Sequence, residues 1–163
     1  MNKTSDEKEV LKIYADGACL GNPGPGGYGV VLLYKEHRKE LSAGFRKTTN
    51  NRMELMGAIA GLENLKRSSN VTLYTDSQYV VNGIMKGWAQ KWKQNRWIKS
   101  NKEKAINPDL WEKLLSLCLE HKVELVWVKG HAGDVENERC DVFAKEAAES
   151  AHLQIDSHYE KGV

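Results

Sequence analysis

The sequence predicts an α/β domain built on a mixed β-sheet with helices packed against it. Three apolar strands lie in the first third of the chain, at residues 10–16, 28–34 and 39–45, and their short connections favour an antiparallel meander. The rest of the chain alternates helix and strand, which is typical of parallel strands joined by helical crossovers. A chain of 163 residues, 40% hydrophobic and 28% charged, suits one domain with a substantial buried core.

The first half of the chain contains the meander and one helix. The strand at residues 10–16 ends at Asp16 and leads into residues 17–27, whose glycines and prolines predict a tight turn without regular structure. A charged turn at residues 35–38 joins the next two strands. Leucine and isoleucine then recur at helical spacing, which predicts a helix over residues 51–66.

The second half alternates strands and helices. A strand at residues 71–76 ends at Asp76, and a helix follows from Ser77. Asn107-Pro108-Asp109 is typical of a helix start, with an N-cap residue, a proline at the first position and an acid in the first turn. That helix extends to about residue 120. The apolar–polar alternation of residues 122–128 predicts a strand, and a last helix begins near Glu136.

The domain organisation follows from these elements. We expect a polar N-terminal extension at residues 1–9, a catalytic domain at residues 10–151 and a polar C-terminal tail at residues 152–163. The polar N-terminus does not resemble a signal peptide, and no apolar run approaches membrane-spanning length. Three cysteines without metal-ligand spacing predict reduced thiols in a cytoplasmic protein.

The distribution of charge is more informative than the net charge of +2. Between residues 86 and 104 seven basic side chains face a single acid, Glu103, and such a stripe predicts a binding surface for a polyanion. The basic residues are Lys86, Lys91, Lys93, Arg96, Lys99, Lys102 and Lys104.

Four acidic residues lie at the ends of different elements: Asp16, Glu54, Asp76 and Asp141. Ligands of open α/β sheets bind at the carboxyl ends of strands. Clustered carboxylates there would repel one another unless a hard divalent ion such as Mg²⁺ lay between them. Two such ions can activate a water and stabilise the leaving oxygen in phosphodiester cleavage.

Each acid, taken singly, also has a structural explanation. Glu54 could form a capping box with Asn51, and Asp76 could cap the helix that follows it. Asp16 could cap the glycine-rich turn, and Asp141 could be a solvated residue of helix surface. The local sequence around the acids favours the functional interpretation for all four.

Six motifs carry a resemblance to one family. They are Tyr14-Ala15-Asp16-Gly17-Ala18-Cys19, Gly21-Asn22-Pro23-Gly24, Thr48-Thr49-Asn50-Asn51-Arg52-Met53-Glu54-Leu55, Tyr74-Thr75-Asp76-Ser77-Gln78-Tyr79-Val80, Val128-Lys129-Gly130-His131-Ala132-Gly133 and Asn137-Glu138-Arg139-Cys140-Asp141. From about Leu11 to Ala148 the chain resembles bacterial type 1 ribonuclease H. The resemblance implies a ribonuclease H-like fold with a five-stranded mixed sheet, three antiparallel then two parallel strands, helices on both faces and a basic helical protrusion.

The resemblance also implies an activity and a set of catalytic residues. We expect a monomeric endonuclease that hydrolyses the RNA strand of RNA–DNA hybrids with little sequence specificity, leaving 5′-phosphate and 3′-hydroxyl ends. The family binds two Mg²⁺ ions, with Mn²⁺ as an alternative, at positions matching Asp16, Glu54, Asp76 and Asp141. His131 matches a histidine that assists proton transfer or product release, although a loop histidine without a role is the alternative.

Substrate-binding positions are carried over from the family in the same way. Only the 2′-hydroxyl distinguishes the sugars of RNA and DNA. The positions matching contacts to the RNA strand are Cys19 (backbone), Asn22, Asn50 and Gln78, with Asn51 either a cap or a contact. Those matching a DNA-strand phosphate pocket are Lys47, Thr49 and Asn107, and Asn107 is also expected to cap its helix. Tyr79, Trp88 and Trp92 match a groove along deoxyribose, whereas Trp97 and Trp111 are expected to pack the basic segment against the body.

Two other functions remain open at this point. The chain could be another nuclease of the same broad fold, such as a transposase-like or proofreading enzyme. From a different class, it could be a hybrid-binding module without catalysis. The asparagine and glutamine set argues against the first alternative, and the presence of all four acids argues against the second.

Overall fold

The computed structural model describes residues 10–129 and 134–162 and shows one five-stranded mixed sheet in the order β3-β2-β1-β4-β5. The strands are β1 (Leu11–Cys19), β2 (Gly24–Tyr34), β3 (His37–Thr48), β4 (Asn70–Thr75) and β5 (Lys122–Trp127). Strands β1, β2 and β3 pair antiparallel, whereas β4 pairs parallel with β1 and β5 pairs parallel with β4. The predicted arrangement of three antiparallel and then two parallel strands is confirmed.

Helices cover both faces of this sheet. They are α1 (Asn50–Glu63), α2 (Gln78–Met85), α3 (Trp88–Gln94), α4 (Pro108–Glu120), α5 (Val135–Glu149) and α6 (Ser157–Lys161). Helix α1 packs on β1 and β2 from one side, with α4 beside it, and α5 packs on β1, β2 and β3 from the other. The core lies between the sheet and α1 and α4, where Ile13, Leu55, Leu62, Leu73 and Trp111 are fully buried. No helix within the described ranges combines the length and apolarity needed to cross a membrane.

The prediction that residues 17–27 lack regular structure is wrong for most of that stretch. Strands β1 and β2 continue through it, with Ala18 opposite Gly27 and Cys19 opposite Gly26. Glycine is required here because α5 lies directly on the strand. A Cβ atom on Gly27 would lie 2.5 Å from the carbonyl oxygen of Ala144. The same glycines that suggest a turn in the sequence therefore allow a helix to approach the sheet closely.

The C-terminal residues form part of the folded body, although their polar sequence suggests a tail. Gln154 exchanges backbone hydrogen bonds with the edge strand β3: its N–H donates to the Gly44 carbonyl at 2.8 Å, and its carbonyl accepts from the Arg46 N–H at 2.9 Å. The following Asp156 is only 3% exposed and caps α6 by accepting from the Tyr159 N–H. The buried carboxylate of Asp156 anchors this segment.

Candidate functional site

Three acidic side chains meet at one end of the sheet, where β1, α1 and β4 come together. Asp16 lies in β1, Glu54 in the second turn of α1 and Asp76 directly after β4. Each offers one carboxylate oxygen, and these oxygens all lie within 4.8 Å of one another. Oxygens at this separation can share a hard divalent cation. The structure thus groups three of the four predicted metal-binding acids, here called the acidic cluster.

The acidic cluster carries negative charge that its surroundings do not balance. Asp16 and Glu54 are only 4% and 5% exposed. Among residues 10–129 and 134–162, no lysine, arginine or histidine forms an ion pair with Asp16, Glu54 or Asp76. Burial, together with repulsion from Glu54 and Asp76, raises the pKa of Asp16 far above its ordinary value. Burial also raises the pKa of Glu54. Without a cation, the cluster therefore retains protons that exposed carboxylates would lose.

Close contact between β1 and α1 brings the first two acids together. The Gly17 N–H donates to Oδ1 of Asp16 at 2.9 Å and to Oε1 of Glu54. A Cβ atom on Gly17 would lie 2.5 Å from the backbone nitrogen of Glu54 and from the carbonyl carbon of Met53. A larger residue at position 17 would thus separate the strand from the helix that carries Glu54.

The structure does not support helix capping as the role of Glu54 or Asp76. Helix α1 is capped by Thr49, whose hydroxyl accepts from the Arg52 N–H at 3.2 Å, so Asn51 lies inside the helix. Helix α2 is capped by Ser77, which accepts from the Val80 N–H at 3.2 Å. Other residues thus satisfy the exposed N–H groups at both helix starts, and these two acids have no capping function.

Asp141 lies at the rim of the cluster. It belongs to α5 and forms an ion pair of 2.9 Å with Lys145, one turn further along that helix. It nevertheless lines the same cavity of about 380 Å³ as Asp16, Glu54 and Asp76. The remaining predicted catalytic residue, His131, lies outside the described residues.

Residues predicted to contact the RNA strand surround this cavity. Asn50, Asn51 and Gln78 line it together with the acids, and so does Tyr79, which is predicted to contact the DNA strand. The exposed Asn22 is fixed relative to α1 because its Oδ1 accepts from the Asn50 N–H at 3.1 Å. Cys19 ends β1, and its thiol points towards the Gly24 and Thr48 carbonyls, at 3.4 and 3.5 Å, which leaves the backbone for the predicted contact.

The three residues predicted to bind a DNA-strand phosphate lie at the end of β3 and the start of α4. Lys47 is exposed, and Thr49 is half-buried at the start of α1. Asn107 precedes α4 with a left-handed backbone (φ 62°), and its side chain makes no cap hydrogen bond. Asn107 therefore occupies the predicted N-cap position of α4, but its side chain does not cap the helix. Its amide instead accepts from Arg52 Nη1 at 3.1 Å and donates to the Tyr79 hydroxyl at 3.2 Å.

The aromatic residues of the basic segment separate into packed and exposed groups. Trp111 is fully buried and Trp97 packs partly buried against the core, as predicted for both. Trp92 contacts Trp111 edge to face, with ring centroids 6.1 Å apart. Trp88 is 40% exposed, and the ammonium group of Lys86 lies 5.4 Å from its ring centroid. Trp88, Lys91 and Trp92 border one groove, but Trp92 packs against Trp111, so the prediction of a groove for deoxyribose suits the exposed Trp88 best.

Sequence reasoning did not identify two residues that organise this region, Arg52 and Asp156. Both are 3% exposed, and Asp156 Oδ2 accepts from Arg52 Nε at 2.7 Å. Asp109 accepts from the other edge of the same guanidinium at 2.7 and 3.0 Å. Arg52 could have been recognised as a charge on the otherwise apolar side of α1. Nothing in the polar C-terminal sequence distinguishes Asp156 from its neighbours.

Comparisons with known proteins agree on one family. The model of the RNase H family matches residues 8–149. Ribonuclease H of Syntrophus aciditrophicus (strain SB) is 66% identical over 153 residues, covering 94% of this chain and 88% of that protein. LC9-RNase H1, a type 1 RNase H with the type 2 active-site motif, is similar in structure with a TM-score of 0.76 and 34% identity, covering 94% of this chain and 80% of that one. LC11-RNase H1 in complex with an RNA/DNA hybrid gives a TM-score of 0.62 and 25% identity over 85% of this chain and 96% of that one.

Proposed function

The chain belongs to the RNase H family of metal-dependent nucleases, and we propose that Asp16, Glu54, Asp76 and Asp141 hold its catalytic ions. It is an endonuclease that hydrolyses the RNA strand of RNA–DNA hybrids. The observation that carries the residue assignment is the acidic cluster itself. Three carboxylates whose oxygens lie within 4.8 Å, in a cavity that Asp141 also lines, form an all-oxygen site.

The donor set fits magnesium better than a softer metal. Carboxylate oxygens are the ligands that Mg²⁺ prefers, and Mn²⁺ is the closest substitute. No cysteine or histidine of the described residues belongs to the cluster. The uncompensated charge also fits, because divalent ions would remove the repulsion that raises the pKa of Asp16. We propose two Mg²⁺ ions per site when substrate is bound.

The reaction requires few groups besides these acids. Bound divalent ions supply Lewis-acid stabilisation of the phosphate and a water of lowered pKa. Water oxygen forms the new bond to phosphorus as the bond to the 3′ oxygen breaks, so one product ends in 5′-phosphate and the other in 3′-hydroxyl. Glu54 is held towards the site by the Gly17 N–H, and Lys145 holds Asp141 at the rim. His131 is proposed to assist the proton transfer to the leaving oxygen.

Substrate selection follows from the surface around the cavity. We propose that Asn22, Asn50, Asn51, Gln78 and the Cys19 backbone contact the RNA strand near its 2′-hydroxyls. Lys47, Thr49 and Asn107 would hold a phosphate of the DNA strand, and Tyr79, Trp88 and Trp92 would contact its sugars. Such contacts read the shape of the duplex rather than its bases, which accounts for low sequence specificity. The relative bound to an RNA/DNA hybrid supports this substrate. We also propose that the enzyme acts as a cytoplasmic monomer.

Cleavage of a labelled hybrid tests the assignment. The wild-type protein is expected to shorten the RNA strand of an RNA–DNA hybrid with Mg²⁺, but not with chelator, and to leave duplex DNA and duplex RNA intact. Asp16→Asn is expected to retain hybrid binding and lose cleavage, because it removes a metal ligand and leaves the basic segment unchanged. Cleavage by Asp16→Asn at a near-normal rate would show that the metal assignment is wrong. Retention of intact hybrid by the wild type with Mg²⁺ would favour a non-catalytic binding module.

A further inference from the structure

We propose that Asp156, a residue of the C-terminal segment, positions the phosphate pocket by holding Arg52, which in turn orients the amide of Asn107. The inference rests on the proposed function, because it assumes that Asn107 contacts a phosphate of the DNA strand. Asp156 touches no substrate in this account. It acts through the side chains of Arg52 and Asn107, which belong to other elements. As a result, hydrogen-bond donors face the pocket.

The guanidinium of Arg52 has no free donor. It has five N–H groups, and the structure shows five hydrogen bonds from them: two to Asp156, two to Asp109 and one to Asn107. The bonds to Asp156 and Asp109 measure 2.7–3.1 Å and fix the plane of the group from two sides. The position of the fifth N–H is therefore set by the two carboxylates.

That fifth N–H determines which way the Asn107 amide points. Arginine can only donate, so the atom of Asn107 that faces it must be the carbonyl oxygen, Oδ1. The amide nitrogen consequently turns away from Arg52 and donates one hydrogen to the Tyr79 hydroxyl at 3.2 Å. Its second hydrogen is free for an anionic oxygen. Reversing the amide would leave Arg52 facing another donor.

The hydroxyl groups of Tyr79 and Thr49 also keep a hydrogen to donate. The Tyr79 oxygen accepts from Asn107 and, at 3.0 Å, from Trp111 Nε1, so its own hydrogen must point elsewhere. The Thr49 hydroxyl oxygen accepts from the backbone N–H of Arg52 at 3.2 Å, which leaves the hydroxyl hydrogen available too. Asn107, Tyr79 and Thr49 thus each keep a hydrogen that they can donate. This is the polarity that a phosphate requires.

Asp156 is the residue that ties this arrangement to the C-terminal segment. Besides Arg52, it accepts from the Thr48 hydroxyl at 2.8 Å and from the Tyr159 N–H at 3.3 Å. Thr48 is fully buried and directly precedes Thr49 of the pocket. The carboxylate therefore joins the end of β3, the start of α1 and α6, and it sets the geometry of the pocket from behind.

Steady-state kinetics of hybrid cleavage by Asp156→Asn test the inference. We expect KM to rise roughly five- to tenfold, the effect of weakening one charge-assisted hydrogen bond, while kcat stays within about twofold. The matched control is Glu160→Gln, which breaks the exposed Arg46–Glu160 ion pair of 2.8 Å in the same segment and should leave both constants unchanged. All assays are run well below the thermal midpoint of each variant.

A double-mutant cycle separates positioning from general stability. Because Asp156 acts through Asn107, Asp156→Asn should raise KM little further in a protein that already carries Asn107→Ala. Additive effects, or a loss of kcat as large as the rise in KM, would overturn the inference. Should Asp156→Asn fail to fold, Asp109→Asn removes the other carboxylate of Arg52, and the same rise in KM is expected.

The cycle also distinguishes failure of the inference from failure of the proposed pocket. If Asn107→Ala raises KM and Asp156→Asn does not, the pocket stands and the positioning role is wrong. If Asn107→Ala leaves KM unchanged, the pocket assignment is wrong and the inference falls with it. Asn107→Asp tests whether the pocket needs a donor at this position. The aspartate can still accept from Arg52, but its second oxygen would face the phosphate in place of the amide NH₂ group. It should raise KM more than Asn107→Ala.

Discussion

Helix α1 carries two buried charged residues, two positions apart, whose surroundings are opposite in kind. Glu54 belongs to the acidic cluster, where three carboxylates lie together and no described cation pairs with them. Arg52 belongs to a cluster in which one guanidinium is bonded to Asp156, Asp109 and the Asn107 amide. Both residues are at most 5% exposed.

The difference shows how a structure separates a ligand site from a structural charge. A buried charge is costly unless it is paired and hydrogen-bonded. The Arg52 cluster meets that condition with its own side chains, so it needs no added ion. The acidic cluster meets it only when a cation enters. Uncompensated burial, rather than burial alone, therefore identifies the catalytic end of the sheet.

The largest expected effect comes from neutralising the uncompensated cluster. Glu54→Gln should lower kcat by on the order of 10³-fold, because it weakens metal binding where transition-state charge develops. The control is Glu63→Gln on the same helix, where Glu63 is exposed and lies 3.8 Å from Lys113. Hybrid cleavage assays at saturating Mg²⁺ measure both variants. Equal activity of Glu54→Gln and Glu63→Gln would contradict the assignment.

Breaking the compensated cluster should affect stability instead. Arg52→Met leaves the buried Asp156 without its cation, and removal of one partner of such a pair costs about 3–5 kcal/mol in the free energy of unfolding. Arg46→Met, which removes an exposed arginine from its pair with Glu160, should cost less than about 1 kcal/mol. Urea unfolding with chelator present measures both. A loss for Arg52→Met as small as that for Arg46→Met would show that the cluster is not stabilising.

Neutralising Asp16 of the acidic cluster should raise the free energy of unfolding, whereas Arg52→Met should lower it. The pKa of Asp16 is raised by burial and by Glu54, so the folded state retains a proton that the unfolded state loses above about pH 4. Stability therefore falls as the pH rises from about 4 towards the pKa of Asp16 in the folded state, which is raised to about 11. In chelator, Asp16→Asn should match the wild type near pH 4 and exceed its unfolding free energy by about 1–3 kcal/mol at pH 8.

The pH series provides its own control. Saturating Mg²⁺ should reduce the difference between Asp16→Asn and the wild type at pH 8, because an ion bound only to the native wild type stabilises it. A difference that is independent of pH, or an Asp16→Asn protein that is less stable than the wild type at pH 8, would mean that the charge of Asp16 is compensated in the folded state.

The smallest effect concerns the basic segment between residues 86 and 104. Changing Lys91, Lys93 and Lys99 to alanine should weaken hybrid binding several-fold at low salt and lower the slope of log K against log salt by about 2–3. The matched control changes Lys12, Lys39 and Lys122, which lie at the opposite end of the sheet. Fluorescence anisotropy with a labelled hybrid gives both slopes. Equal slopes for the two triple variants would exclude the basic segment from binding.

The sequence predicted the arrangement of the sheet because its signals are local. Apolar runs, the helix start at Pro108 and the short connections depend on neighbouring residues only. The predictions were wrong where elements distant in the sequence determine the local conformation or side-chain contacts. Whether Gly27 belongs to a turn or a strand depends on α5, which lies over it. Asn107 is at a cap position, but its amide is turned by Arg52 and Tyr79 instead of capping the helix.

The functional site was likewise predictable where the signal is local and not where it depends on the tertiary fold. The four acids could be proposed because each lies within a family motif. The partners of Arg52 could not, since Asp156 is 104 residues away in a polar segment and contacts it only through the tertiary fold. A residue that acts directly on substrate leaves a motif in the sequence. One that acts through two others leaves no local pattern.

Calorimetric titration of the metal-free protein with Mg²⁺ tests most directly whether the uncompensated carboxylates form the ion site. The account predicts saturable binding by the wild type and by Arg52→Lys, and loss of that binding in Asp16→Asn. Equal Mg²⁺ affinity of Asp16→Asn and the wild type would contradict it.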